Sequence, residues 1–440
     1  MAPRRRHARA IRKARFGGRV RTVKIALVNN YYYLRGGSER VLYDDRDALL
    51  AAGHEVLPFA PQDPRNDPAL SAPHFPAVGD PKQASGLDLL KSACHVIYSP
   101  QVGRAFAGFV DSFRPDLIHC HNIYGRLTTS VLDQARRRGI PVVMTVHDLK
   151  LACPAYLGLR HGQPCLLCQD GGYWRCARYK CHKSSAAASL AYTAEAYFAR
   201  IARKYNAVAR FLCPSRFIQG VLLDAGVPAE RVVYHPNALQ ADRYAPGPEP
   251  GEYLFYAGRL SSEKGLFTLL DAIESARLPL RIAGAGPLDH ALRTRIQERR
   301  LPVRMEGYCH HERLADLYRN AAFVVAPSEW YENAPMAVLE AFAYGKPVLA
   351  SRIGGNPELV LEGQSGCLFA PGNAGDLASA AGAMWKDRPG LARMGRQARE
   401  LVRQRFSCER RNEALLGIYR EMIPAKHIQW EQMEIGYGAR

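Results

Sequence analysis

Two carboxylates eight residues apart, Glu332 and Glu340, flank Pro335 behind the apolar run Phe323-Val324-Val325-Ala326. A short, β-branched run of that kind reads as a buried strand. Pro335 suits the first turn of a helix, because the amide it lacks would have no intrahelical partner there. Gly345 can stop that helix. Glu332 is therefore expected just ahead of a helix N-terminus and Glu340 about one turn inside it, both able to line a cleft at the carboxyl end of a strand. Taken alone, the pair fits a solvated helix face better, and only its surroundings decide otherwise. Upstream, Arg259 and Lys264 share the turn Gly258-Arg259-Leu260-Ser261-Ser262-Glu263-Lys264-Gly265. A planar guanidinium fork and an ammonium point charge can converge on one anion and neutralise a diphosphate. Gly36 and Gly37 precede another helix pattern, where backbone amides can approach an anion; a plain strand-to-helix turn looks the same. His119, His121 and His147 lie near strand ends, with a buried imidazole satisfied by a carbonyl as the alternative reading. Cys153, Cys165, Cys168, Cys176 and Cys181 fall within 29 positions, with His161 and His182 among them. Cys165 and Cys168 have chelating spacing, and Cys176 and Cys181 could complete a structural zinc site. A cluster of free thiols is the competing expectation.

The elements that must position these groups alternate along the chain. Val23 to Val28, a strand starting near Gly53, Asp116 to His121, Pro141 to His147, Val208 to Cys213 and Val232 to His235 read as strands, with helical patterns between them. A second series follows at Glu252 to Ala257, Leu280 to Gly286 and Arg304 to Tyr308, and then the run before Glu332. Strands alternating with helices imply parallel, doubly wound sheets. Ser184 to Tyr205 has Leu190, Ala194, Tyr197, Phe198 and Ile201 at helical spacing and is expected to pack that stripe into the core. The Pro/Gly-rich stretch 245–251 is the strongest linker signal. The expected division is a basic arm 1–21, a first domain 22–240 with a Cys-rich insertion 150–183, a second domain 241–408, and a helix and tail 409–440 crossing back to the first domain.

The spacing Glu332-x7-Glu340, continued by AFAYGKPVLAS and GGNPELV, resembles the signature of retaining glycosyltransferases of family 4. GRLSSEKG resembles that family's Gly-Arg…Glu-Lys-Gly segment, and GGSERV its glycine loop. The resemblance, modest over the first half, covers roughly residues 22–420. It implies a GT-B architecture, two Rossmann-like domains facing across a cleft. It also implies a UDP- or GDP-linked sugar donor whose diphosphate meets Arg259, Lys264, Gly36 and Gly37. Glu340 would hold the ribose, Glu332 would contact the sugar near its reacting carbon, and the amides of Asn333, Ala334, Met336 and Ala337 would approach sugar and phosphate. Gly307 and Tyr308 would lie near the base, His147 would reach the sugar, and His121 would stand on the acceptor side. The reaction implied is front-face substitution, the leaving phosphate helping to deprotonate the acceptor. No Asp-x-Asp pair stands beside these segments, which suits chemistry that needs no metal. An epimerase of the same architecture and a catalytically silent nucleotide-sugar binder are the rival readings.

Composition sets outer bounds. The 440 residues, 47% hydrophobic and 23% charged, suit a globular chain of two or three domains. No run of eighteen apolar residues suggests a spanning helix, and the start lacks a signal-peptide core, so a cytoplasmic protein is expected. The net charge of +19 is concentrated at the start, where residues 1–24 hold ten Arg or Lys and no acid. Such a run can hold an anionic membrane surface, which makes peripheral attachment to the inner face of the plasma membrane an expectation. Nucleic acid is not expected as a partner, since no recognition module accompanies the charge.

Overall fold

In the computed structural model, residues 22–79, 87–247 and 250–423 are described. The basic arm 1–21 and the tail 424–440, with the expectations placed on them, lie outside the described residues. The first sheet contains β1 (Lys24–Val28), β2 (Glu55–Phe59), β3 (Leu117–Cys120) and β4 (Val142–Thr145). A two-stranded hairpin, β5 (Leu159–Arg160) with β6 (Gln163–Pro164), interrupts the series before β7 (Val208–Cys213) and β8 (Val232–Tyr234). Every pairing in the six-stranded sheet is parallel, in the order β2-β1-β3-β4-β7-β8. The continuous apolar runs are explained by this: helices cover both faces, so neither alternates with water. Every residue of β3 and β4 is buried. His121 and His147 consequently fall just past the carboxyl ends of adjacent strands.

The second sheet is built from β9 (Leu254–Ala257), β10 (Leu280–Ala283), β11 (Val303–Gly307), β12 (Phe323–Ala326), β13 (Val348–Ser351) and β14 (Gly366–Phe369). Its order, β11-β10-β9-β12-β13-β14, reverses between β9 and β12. Two parallel α/β units of this kind make a GT-B fold. The last helix, Cys408–Met422, leaves the second unit: Leu415, Leu416, Ile418 and Tyr419 join the hydrophobic core built around β1, β3 and β4.

The helix expected over Ser184–Tyr205 is shorter, Ala186–Ile201, and is rotated from the expected orientation. Its buried residues are Ser189, Thr193, Glu195, Ala196 and Ala199, while Leu190 is 61% and Ile201 79% exposed. The apolar stripe lost because polar demands set the rotation. Glu195 pairs with Lys150, both almost fully buried, and Ser189 Oγ accepts the His182 amide at 2.9 Å. A buried charge turned to solvent would leave its partner uncompensated, which costs more than exposing two aliphatic side chains.

Candidate active site

β9 and β12 are neighbours in register, Leu254 opposite Phe323 and Phe255 opposite Val324. The loops leaving their carboxyl ends thus open side by side where the strand order reverses, the place where doubly wound sheets bind ligands. One loop carries Arg259 and Lys264, the other Ser328 to Pro335. Lys264 Nζ donates to Glu332 Oε1 at 2.6 Å and lies 4.9 Å from the Trp330 ring centroid. Ser328 Oγ donates to the same oxygen at 2.5 Å. Burial alone would raise the Glu332 carboxyl, but the Lys264 cation and the hydrogen bonds from Lys264 and Ser328 outweigh it and hold the group below its ordinary value. A buried, ionised carboxylate and a cation thus stand at the edge of one cleft.

That cleft has a volume of about 580 Å³ and is lined from both sheets: Tyr31, Gly36, Gly37, His147 and Tyr156 on one side, Arg259, Lys264, Glu332, Asn333 and Ala334 on the other. Met336 and Ala337, the first residues of helix Met336–Ala343, also line it. Their amides belong to the first turn, which has no intrahelical partner and favours anions. Gly265, which ends the Arg259–Lys264 turn, has φ +64°, and a Cβ there would lie 1.9 Å from the Pro327 carbonyl oxygen. Gly265→Ala is expected to cost more than about 1 kcal/mol in a thermal melt. It should also push the two loops apart and weaken nucleotide-sugar binding measured by calorimetry.

Asn333 lines the cleft, yet its side chain is committed to the first unit. Nδ2 donates to Val146 O at 2.9 Å, and Oδ1 accepts from Ser215 Oγ at 2.7 Å. Asn237 Nδ2 donates to Ala334 O at 2.9 Å. Glu358 accepts the amides of Arg216 and Phe217 at 2.7 and 2.6 Å, placing a carboxylate at the N-terminus of helix Arg216–Asp224. These latches escaped sequence reasoning, because no local pattern joins residues 97 or more positions apart.

Other expected site residues lie elsewhere. Glu340 is absent from the cleft lining. Its Oε2 accepts from Tyr318 OH at 3.3 Å, and burial raises its carboxyl despite Arg40 and that hydrogen bond. Gly307 ends the edge strand β11 and Tyr308, 72% exposed, follows it; neither lines the cleft. His121 is fully buried behind His147, its Nδ1 2.9 Å from His147 Nε2. Among the described residues, Cys165, Cys168, Cys176 and Cys181 do not bring three sulfurs within 4.8 Å of one another. Among the described residues, the group with three potential ligand atoms within 4.8 Å of one another is Asp45, His119 and His121. Cys153, Cys168 and Cys176 are buried in the first core, with Cys181 packed against it and Cys165 half-buried.

Burial also makes this region sensitive to acid. Desolvation lowers the pKa values of His147, His119 and His235 from 6.5 to about 3, about 4 and about 3. Below pH 6.5 the unfolded chain binds protons that these folded imidazoles refuse. Their contribution to stability is therefore complete above 6.5 and is lost as pH falls toward their folded values. Asp148, raised by burial from 3.8 to about 6, acts in the opposite sense, losing stability as pH rises through that window. The three imidazoles, joined by His121, which burial lowers in the same way, outnumber the raised carboxyls of Asp148 and Glu340, so urea titrations are expected to show stability falling steadily below about pH 6.5. A flat profile down to about pH 4 would contradict it.

A family profile described as Glycosyltransferase Family 4 matches residues 35–243, and one described as Glycosyl transferases group 1 matches 242–401. The O-antigen chain mannosyltransferase C of Escherichia coli is 28% identical over 177 residues, 40% of this chain and 48% of that protein. The chain thus spans about half of that relative's length. Sucrose-phosphate synthase of Thermosynechococcus elongatus superposes with a TM-score of 0.69 at 20% identity, covering 91% of this chain and 99% of that one. Anabaena HepE, solved with UDP and glucose, gives 0.64 at 19% identity, covering 91% and 100%. At such identities the two structures speak for the fold alone. With two profiles meeting end to end across most of its length and both sheets arranged as GT-B, the chain belongs to the family 4 type of glycosyltransferases.

Proposed function

We propose that this protein moves a sugar from a nucleotide-diphosphate donor onto a glycan or lipid-linked acceptor of the cell envelope, with retention of anomeric configuration. The observation that carries the reading is the convergence of Arg259, Lys264, the first turn of helix Met336–Ala343 and ionised Glu332 on one cleft. The donor diphosphate draws Lys264 away from Glu332 and joins it to Arg259 and the helix amides, which stabilise the departing charge. Glu332, released from its cation, accepts hydrogen bonds from the sugar's hydroxyls. The bond from the anomeric carbon to the diphosphate oxygen breaks while the acceptor oxygen bonds to the same face, and the acceptor's proton passes to the leaving phosphate. The other carboxylates lining the cleft are held by the first unit's own groups, Glu39 by Ser38 and Asn29 and Asp148 by Tyr124 and the Lys150 amide, so we assign neither as the nucleophile that a double displacement needs. HepE's title names UDP and glucose, which makes a UDP-linked sugar the first donor to try.

The membrane partner is supported by the outward stripe of helix Ala186–Ile201. Leu190 and Ile201 are exposed, and so are Trp174 at 52% and Leu167 at 46% on the neighbouring insertion. Arg178, Lys180, Lys183, Arg200 and Arg203, on the same stretch of chain, are exposed as well. Apolar tips among cations fit the interface of an anionic bilayer, and no helix among the described residues is long and apolar enough to cross one.

The test is to incubate pure protein with UDP- and GDP-linked sugars, with and without lipid-linked acceptors, and to read the product anomer by NMR. An α-linked product from an α-linked donor supports the reading. Release of an altered sugar without acceptor indicates an epimerase, and binding without turnover a silent binder; either outcome overturns it.

A further inference from the structure

Behind the cleft, a row of buried polar side chains runs from the last helix to the cleft wall. Arg411, on helix Cys408–Met422, pairs with Asp45 Oδ1 at 2.5 Å. Asp45 Oδ2 lies 3.6 Å from His121 Nε2, and neither side chain is exposed. His121 Nδ1 is 2.9 Å from His147 Nε2, with the two rings stacked at 17° and 5.1 Å between centroids. His147 lines the cleft. The row thus joins residues far apart in the chain into one line ending where the sugar is expected.

Asp45, His119 and His121 bring three potential ligand atoms together, which raises the possibility of a cation site. Their partners argue against it. Arg411 already neutralises Asp45. His119 uses both ring nitrogens, Nε2 with Thr145 Oγ1 at 2.8 Å and Nδ1 with Tyr419 OH at 2.7 Å. A divalent ion would have to enter beside a guanidinium and break a hydrogen bond of His119.

The row does, however, dictate where protons sit. Burial would raise the Asp45 carboxyl, but Arg411 and His119 outweigh it and keep the group below its ordinary value. An ionised carboxylate only accepts hydrogen bonds. His121 Nε2 faces it at 3.6 Å and makes no hydrogen bond among the described residues, so the carboxylate's charge favours placing the hydrogen of a neutral His121 on Nε2. That leaves Nδ1 as a lone pair, and the 2.9 Å contact must then be made by a hydrogen on His147 Nε2. The ring's other nitrogen, Nδ1, carries no hydrogen. His235 Nε2, on another buried imidazole influenced by Asp45, makes no hydrogen bond among the described residues.

We infer that Asp45 and His121 are positioning residues that hold His147 as its Nε2–H tautomer, so that the ring offers its Nδ1 lone pair to a hydroxyl of the bound sugar. The inference rests on the sugar-transfer reading of the cleft and deepens it. His147 then takes a hydrogen bond from the sugar and gives none. His121 and Asp45 never touch substrate. Arg411 ties the same row to the helix that returns from the second unit.

The experiment is nitrogen-15 NMR of the full chain labelled on its histidine rings, with the His147 signals assigned by loss in His147→Gln. In the unsubstituted protein, both His147 and His121 are expected as Nε2–H tautomers, a result that needs no variant to fold. In His121→Leu, which removes the lone pair, His147 should populate Nδ1–H as well, and kcat for transfer should drop at least tenfold with the donor KM little changed. His121→Asn, whose side-chain oxygen can take the place of Nδ1, should restore the tautomer and most of kcat. A His147 Nδ1–H tautomer in the unsubstituted protein overturns the inference. So does a tautomer and kcat in folded His121→Leu equal to those of the unsubstituted chain. If that chain transfers no sugar from any donor, the functional reading fails instead, and the tautomer result still stands or falls by itself.

Discussion

Lys264→Ala is expected to reduce sugar transfer by about two to three orders of magnitude, the scale seen when a preorganised charge at a developing anion is removed. The same change should lower stability by up to about 3 kcal/mol. Both effects have one origin. Lys264 is the cation that keeps Glu332 ionised inside the protein, 2.6 Å away, and that carboxylate is only 7% exposed. Removing it strands a buried charge, although Ser328 still donates to the same oxygen. The stability loss sits at the low end of the range for broken buried pairs, because the Lys264 side chain is 22% exposed and water can enter. Glu332→Gln separates the two effects. It keeps the shape and the Ser328 hydrogen bond while removing the charge, so its melting temperature should stay close to that of the unsubstituted chain while turnover falls steeply. Steady-state kinetics with the active donor and thermal melts of both variants decide the matter. Full activity in either variant would refute the assignment of this pair to the reaction.

Arg411→Ala should be the most destabilising single change outside the apolar cores. Asp45 has no exposed side-chain surface and Arg411 is 5% exposed, so the pair has no access to water. Removing one partner of such a pair costs about 3–5 kcal/mol. For a unit of this size that corresponds to a fall in melting temperature on the order of 10 °C. The double change Asp45→Asn with Arg411→Met should regain much of the loss, because it removes the stranded charge together with the pair. Chemical denaturation of the three variants checks this. Equal losses in the single and double variants would show that the helix packing of Leu415 and Tyr419 matters here and the ion pair does not.

How much of this was legible beforehand follows the range of the forces involved. The strands before Glu332 and Arg259 are short apolar runs that end in polar loops, and both signals lie within about ten residues of each other. The meeting of Lys264 with Glu332 then follows from the parallel order that alternation implies, since neighbouring strands put their carboxyl-end loops side by side. The helix over Ala186–Ile201 shows where this fails. Its periodicity marked the correct element and the wrong face, because Lys150 and the amide of His182 hold Glu195 and Ser189 inward. For the cysteines, spacing suggested a shell of ligands, and only the fold shows that three of the thiols are buried together in a core.

The chain's residues by themselves determined which segments become strands, which loops carry charge, and that two cations and a carboxylate gather at one sheet edge. Those outcomes depend on local hydrophobic pattern and on the geometry of parallel strands. Only the tertiary structure decided that Asn333 latches the two units, that Glu340 sits outside the cleft lining, and that Arg411 closes a buried row reaching His147. Each of these depends on desolvation, which arises only once segments separated along the chain have packed and excluded the water between them.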